Sequence, residues 1–230
     1  MSDWRFNHLR DSAESVHGRE LPAERAIWRA SINQSAMVLG SKQDFAVVNH
    51  QACQTDQVSV VRRRSGGGAV FLEADQHLWI DFVITSDDDL WKDDVGQAMW
   101  WVGDLWADAL AACEIADRDQ LRVHRGGLER EKISDLICFA GVGPGEVTLH
   151  GKKLVGISQR RTREMARFQC VVHRQWSAEA YRKYLLLDKV GDHSAGSFGA
   201  RDGKLSKIDV AESSGLNQIA QALVELATAL

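Results

Sequence analysis

Apolar residues recur along this chain with two different periods. Between residues 94 and 113, Val95, Ala98, Met99, Val102, Leu105, Trp106, Ala109 and Leu110 return every three or four positions. That is the spacing of one helix face, and it predicts the clearest helix of the chain, with Asp93 available as its cap. Shorter stretches are β-branched and compact. SAMVLGS, AVVN and VSVVRR read as strands. AVFLEADQHLWIDFVIT reads as two strands joined by a polar turn at 73–76, and EVTLHGKKLVGIS as a hairpin turning at His150 and Gly151. ELPAERAIWRAS is predicted as a short helix, with Pro22 in its first turn, where a missing N–H is harmless. SAEAYRKYLLL and SSGLNQIAQALVELATAL are predicted as closing helices with serines available as N-caps. Helices and strands alternate irregularly. The expected fold class is α+β, or α/β-type, with a mixed sheet flanked by helices.

Composition narrows the class. At 44% apolar over 230 residues the chain can bury a sizeable core, and one domain is expected. A net charge of −4 argues against a general nucleic-acid or membrane-surface binder. The opening MSDWRFNHLRDSAES has no apolar segment of the secretory kind, and no run approaches the roughly 18 apolar residues of a membrane span. Cys53, Cys113, Cys138 and Cys170 lie far apart without a CxxC pair, which suits a reducing cytoplasm. The histidines lack paired spacing, so no metal site is expected; His124 and His173 are weighed as pocket residues. The acidic run SDDDLWKDD reads as a solvated loop with a helix cap. Trp100, Trp101 and Trp106 read as core or subunit packing.

Candidate chemistry begins at RRRSGGGAVF, residues 62–71. Three glycines in a row are costly in ordinary secondary structure, because glycine loses the most backbone freedom on folding. A loop whose backbone N–H groups approach an anion would justify them, and neighbouring arginines add bidentate donors for phosphate or carboxylate. A plain glycine-rich hairpin with solvated arginines is the alternative. The stretch is neither G-x-G-x-x-G nor a P-loop. A second basic stretch, GKKLVGISQRR at 151–161, sets two lysines just after a turn. A lysine held beside an anion loop neutralises a phosphate or polarises a carbonyl.

Together the two stretches resemble a known pair. RRRSGGGAVF resembles the RRxxGGGAV signature of the lipoate–protein ligase and octanoyltransferase family, and GKKLVGISQRR resembles its G(R/K)K(I/V)xGSAQRR segment. The opening, WRF then LPAERAIWRA then SAMVLGSKQDFAVVN, is similar to the family's start, and the likeness runs from about residue 4 to about residue 175. The resemblance implies the biotin/lipoate ligase catalytic domain, related to class II aminoacyl-tRNA synthetases. On that basis residues 1–230 form a single catalytic domain, with a small helical extension from about residue 176.

The implied activity is acyl transfer onto a lysine of a lipoyl carrier domain, as found in 2-oxoacid dehydrogenases or glycine cleavage proteins. Ligases of the family activate lipoate or octanoate with ATP and Mg2+ as an acyl-adenylate. Transferases take the acyl group from a carrier such as acyl carrier protein. In either case Lys153 would hold the acyl carbonyl or adenylate phosphate. Arg62, Arg63, Gly66, Gly67, Gly68, Ala69 and Val70 would shape the acyl and nucleotide pocket, with Gly156 and Ser158 on the lysine strand.

Departures are informative. Leu72-Glu73 stands where many ligases have His-Asp, and Asp75-Gln76 replaces the usual glycine-asparagine. Ile157 is bulkier than the family's serine, and Gln169-Cys170-Val171 replaces Gln-His-Gly. After the lysine motif the chain looks short for the accessory domain of many ligases. Cys138, in ICFAGVGPGEV, matches a "CF" segment that carries the nucleophile in one transferase class. Its alternative is a buried small hydrophobe, and Cys170 is a weaker second candidate. Three readings follow in order: an ATP-dependent ligase, a Cys138-dependent transferase close behind it, and a non-catalytic lipoyl- or acyl-binding relative.

Overall fold

The computed structural model describes residues 3–130, 132–176, 178–186 and 213–230. Among these, ten strands form two sheets. The larger sheet runs β1 (Arg5–Asp11), β2 (Ala26–Ile32), β6 (His77–Thr85), β10 (Met165–His173), β9 (Lys152–Arg161), β8 (Val147–Leu149), β7 (Leu121–Val123). Only its β1–β2 pair is parallel, so the sheet is mixed. The smaller sheet runs β4 (Ser59–Arg62), β3 (Ala36–Leu39), β5 (Val70–Leu72).

Strand β6 shows why the layers stack as they do. It is buried along almost its whole length, the mark of a strand covered on both faces. Leu78, Ile80, Phe82 and Ile84 pack with Trp106 and Leu110 of α3 (Trp100–Ala112) and Leu223 of α5 (Ser213–Ala227). Trp79, on the other face, packs with Val38, Leu39, Ile137 and Tyr181, beneath the small sheet and α4 (Ala178–Tyr184). Asp81 shares that second face. It accepts hydrogen bonds from Trp79 Nε1 at 2.7 Å and Arg167 Nε at 2.8 Å. Arg167 also donates to Arg19 O and Val16 O, which ties α1 (Ala13–Gly18) to the sheet.

Several expectations are corrected. ELPAERAIWRAS does not form a helix; its second half is β2. Ala23, Ala26, Ile27 and Ala30 do have helical spacing, but β1 and β6 take up the segment's backbone bonds from both sides. AVVN is not a strand: Phe45–Val47 makes a 3-10 turn capped by the Asp44 side chain, which accepts from Ala46 N at 2.8 Å. The long helix begins after a 3-10 turn at Gln97–Met99 and has no side-chain cap, so Asp93 does not cap it; just ahead, Asp94 accepts from Gln97 N at 2.7 Å. The acidic run is not wholly solvated, because Asp88 forms a buried ion pair with Arg25 at 3.6 Å. Strand β1 and the short helices α1 and α2 (His50–Thr55) carried no signal strong enough to be expected. Ser177, expected to cap α4, lies outside the described residues, and Ser213 and Ser214 fall within α5.

Burial lowers three histidines, His77 and, furthest, His17 and His173. It pushes His17 from 6.5 down to about 3, helped by repulsion from Arg63 and Arg167. It pushes His173 down to about 3 as well, helped by His77. Below pH 6.5 the unfolded chain therefore binds more protons than the folded one. Stability is complete above that pH and is lost as pH falls toward 3, by up to about 1.4 kcal/mol per pH unit for each histidine. Urea unfolding between pH 6.5 and 5 is expected to show this slope, and His173→Phe to reduce it by about one proton. An unchanged slope in the variant would show that His173 titrates normally.

Candidate active site

The loop between β4 and β5 separates its arginines. Arg62 is exposed: it donates to Gln43 O at 2.8 Å, its guanidinium lies 4.3 Å from the Phe45 ring centre, and it does not border the site. Arg63 is buried and turns back on the glycines, donating to Gly66 O and Gly68 O at 2.8 Å each. The three glycines differ too. Gly67 has φ +92, and a Cβ there would lie 3.1 Å from Arg63 Nη2 and 3.6 Å from Cys138 Sγ. A Cβ on Gly68 would lie 2.6 Å from Ile137 N and 2.7 Å from Cys138 N, inside the van der Waals limit. Nothing crowds Gly66. The loop is thus pressed backbone to backbone on 136–138, where Ala69 N donates to Leu136 O and Cys138 N to Ala69 O.

The β8–β9 hairpin turns at His150 (φ 50) and Gly151 (φ 75), the paired positive φ of a tight two-residue hairpin. Above the turn the register slips. Thr148 pairs with Lys153 and Val147 with Val155, which leaves Leu154 as a bulge. The extra residue reverses the alternation along β9, so Lys153 borders the same cavity as Gly156 and Ser158 although an odd number of positions separates it from both.

Lys153 is buried and its neighbours are all chemical. Its Nζ donates to Glu146 Oε1 at 3.0 Å and Oε2 at 2.8 Å, and lies 3.9 Å from Cys138 Sγ and 5.1 Å from the Phe139 ring centre. Burial alone would push the Lys153 ammonium down. The Cys138 sulfur and the Glu146 carboxylate outweigh it and raise the ammonium above its ordinary range. Glu146 is itself held by backbone, accepting from Ile157 N at 3.1 Å and Gly143 N at 2.6 Å.

These groups border one cavity of about 650 Å3. It brings together Arg63, Gly66, Gly67, Gly68, Val70, Cys138, Lys153, Gly156 and Ser158. It leaves out Arg62, Ala69, His124 and His173; Ala69 is buried under the loop, and His173 packs against Phe139, ring centres 4.8 Å apart. Cys170 borders the cavity, but burial pushes its thiol well up, which disfavours a thiolate there. Glu146 had a signal in the sequence: a lone acid just ahead of β8, two residues before Thr148, which pairs with Lys153. Gly40 had none, yet a Cβ there would lie 1.9 Å from Gly67 O. Lys42 and Arg130 also border the cavity and could meet a phosphate. Among the described residues no three metal-ligating side chains converge.

Residues 13–225 match the sequence model of the lipoyl protein ligase A/B catalytic domain. This chain belongs to that family. Its fold agrees with solved members: a bipartite lipoate protein ligase studied with its E2 lipoyl domain from Thermoplasma acidophilum matches with TM-score 0.69 and 13% identity, over 99% of this chain and 84% of that one. A lipoate-protein ligase A bound with ATP matches with TM-score 0.68 and 13% identity, over 98% and 86%. P. falciparum LipL1 in complex with lipoate matches with TM-score 0.58 and 12% identity, over 96% and 60%. No curated protein matches at the sequence level. The lipoyl protein ligase A/B catalytic domain, here a mixed α+β fold, makes this chain an enzyme by family.

The glycines yield a paired prediction. Gly68→Ala forces a Cβ into backbone and is expected to destabilise by about 1–3 kcal/mol, the usual cost of overpacking. Gly66→Ala, in open space, should stay within about 0.5 kcal/mol of the parent. Denaturant unfolding of the two variants measures the contrast, and equal losses would contradict the close approach.

Proposed function

We propose that this family member transfers a lipoyl or octanoyl group to a lysine of a lipoyl carrier domain, and that the acyl group rides on Cys138. One observation carries this reading: Cys138 Sγ stands 3.9 Å from the buried Lys153 ammonium, beside the cavity. Cysteine nucleophiles act as thiolates, and the Lys153 ammonium donates toward this sulfur. In the first step the thiolate attacks the carbonyl of a thioester donor such as acylated acyl carrier protein. A new C–S bond forms, and the donor's thiolate leaves. In the second, the acceptor lysine's neutral amine attacks the Cys138 thioester. The amide bond forms, the C–S bond breaks, Cys138 regains its thiolate, and one amine proton is released. Lys153 offsets the negative charge on sulfur and on the carbonyl oxygen at both stages. A lipoyl-domain acceptor fits the Thermoplasma relative, which is described together with its E2 lipoyl domain. Four free cysteines fit a cytoplasmic setting.

This reverses the order expected from sequence, where the adenylate route came first. Of the cations offered there to a phosphate, Lys153 is engaged by Glu146, Arg63 is engaged by the glycine-loop carbonyls, and Arg62 does not border the cavity. The adenylate route stays as a second reading because a relative of the same fold is described with ATP bound. In that reading ATP activates the free acid, Lys42 and Arg130 (itself 3.6 Å from the exposed Asp135 carboxylate) are the other cations on the cavity wall for its phosphates, and Cys138 is dispensable.

Two reactions separate the routes: an acyl-carrier donor without ATP, and free lipoate with ATP and Mg2+. Intact-mass spectrometry of the enzyme is expected to show an acyl adduct on Cys138 in the first, absent from Cys138→Ser, which also loses transfer. Lys153→Ala should slow transfer roughly 100- to 1000-fold while keeping its circular dichroism spectrum. ATP-dependent transfer at full rate by the serine variant would sink the thioester route.

A further inference from the structure

Glu146 lies at the centre of the site, yet neither transfer step above uses it. Its carboxylate accepts four hydrogen bonds, two from Lys153 Nζ and one each from the N–H groups of Ile157 and Gly143. The backbone donors come from opposite sides, β9 and the turn ahead of β8, so the carboxylate has a fixed position of its own. An ammonium has three hydrogens in tetrahedral directions. With its Glu146 contacts fixed, Lys153 is left directed at Cys138 Sγ. The charged and titratable groups around that sulfur are Lys153, its partner Glu146, Arg63 across Gly67, and the Tyr181 phenol. Seen from the sulfur, Lys153 and Glu146 together carry no net charge.

We propose that Glu146 is the positioning residue of the transfer: it aims the Lys153 ammonium at the Cys138 sulfur and sets how much of that positive charge the sulfur feels. The inference rests on the reading that Cys138 carries the acyl group. It predicts two effects that run in opposite directions. Glu146→Gln removes the negative charge, so the ammonium acts on the sulfur unopposed. It also loosens the lysine.

The measurements are capture of Cys138 by iodoacetamide across pH and turnover with an acyl-carrier donor. In Glu146→Gln the half-maximal pH of capture is expected to fall by about one unit, the scale of an uncompensated charge within a few ångströms. Turnover should fall roughly 100-fold, as misplaced catalytic groups do. A glutamate that only supports the fold would lower turnover without moving the capture profile. Glu146→Asp keeps the charge but shortens the reach. Its capture profile should stay within about 0.3 units of the parent while turnover drops about 10-fold or more, and it carries the test if the glutamine variant fails to fold. An unshifted or upward-shifted profile in Glu146→Gln, or parental turnover in Glu146→Asp, overturns the assignment. The parent enzyme separates this from the reading beneath it. No Cys138 adduct in the parent removes the thioester route and this role with it, whereas an adduct with unshifted capture removes only the role of Glu146.

Discussion

Two backbone segments cross at the glycine loop with no room for a Cβ between them. Gly40 lies against the carbonyl of Gly67, and Gly68 lies against the amides of Ile137 and Cys138. Gln43 staples the same crossing: its side chain accepts from Gly40 N and donates to Leu136 O at 3.0 Å. This contact delivers Cys138 to the rim of the cavity, because the 136–138 segment can lie there only if the loop above it is bare. The glycine run therefore serves packing first. The reason legible in the motif, backbone approach to a ligand, remains open to all three glycines, since each also borders the cavity.

The second constraint is charge burial. Removing an ammonium and a carboxylate from water is expensive, and attraction between them repays it only when the remaining donors and acceptors are also satisfied. Glu146 meets that condition through its two backbone donors, and Lys153 through Glu146 and the sulfur. The pair is better suited to orientation than to stability. A rigid pair beside a nucleophile needs no reorganisation when charge develops.

The departures from the family pattern sort by location. Ile157 and Cys170 pair across β9 and β10 and both belong to the core under α3 and α5. Both also border the cavity, so their change in bulk is felt on the site side of the sheet as well. Leu72 borders the cavity directly, and Asp75 adopts φ +59 in the turn before β6. Leu72, Ile157, Cys170 and Val171 all border the cavity, so these are the substitutions placed to alter the shape of the acyl pocket.

What the sequence by itself determined was local. Helical spacing marked α3, paired turn residues marked the hairpin at His150 and Gly151, and two basic motifs marked the family and part of the cavity's wall. Local patterns carry these features because a helix period or a turn dihedral needs only near neighbours. Tertiary structure decided the rest. Ala26, Ile27 and Ala30 satisfy a helical and an extended pattern alike, and pairing with β1 and β6 chose the strand. Arg62 and Arg63 are equivalent on paper, and only the fold sends one to solvent and the other into the loop. The bulge at Leu154 puts Lys153 beside Gly156 and Ser158, where unbroken alternation would have parted them. Cys138, as easily a core residue by its apolar neighbours, faces Lys153 because the loop and the hairpin meet there. Register and packing between segments distant in sequence are settled by the burial they achieve together, and no single segment encodes that sum.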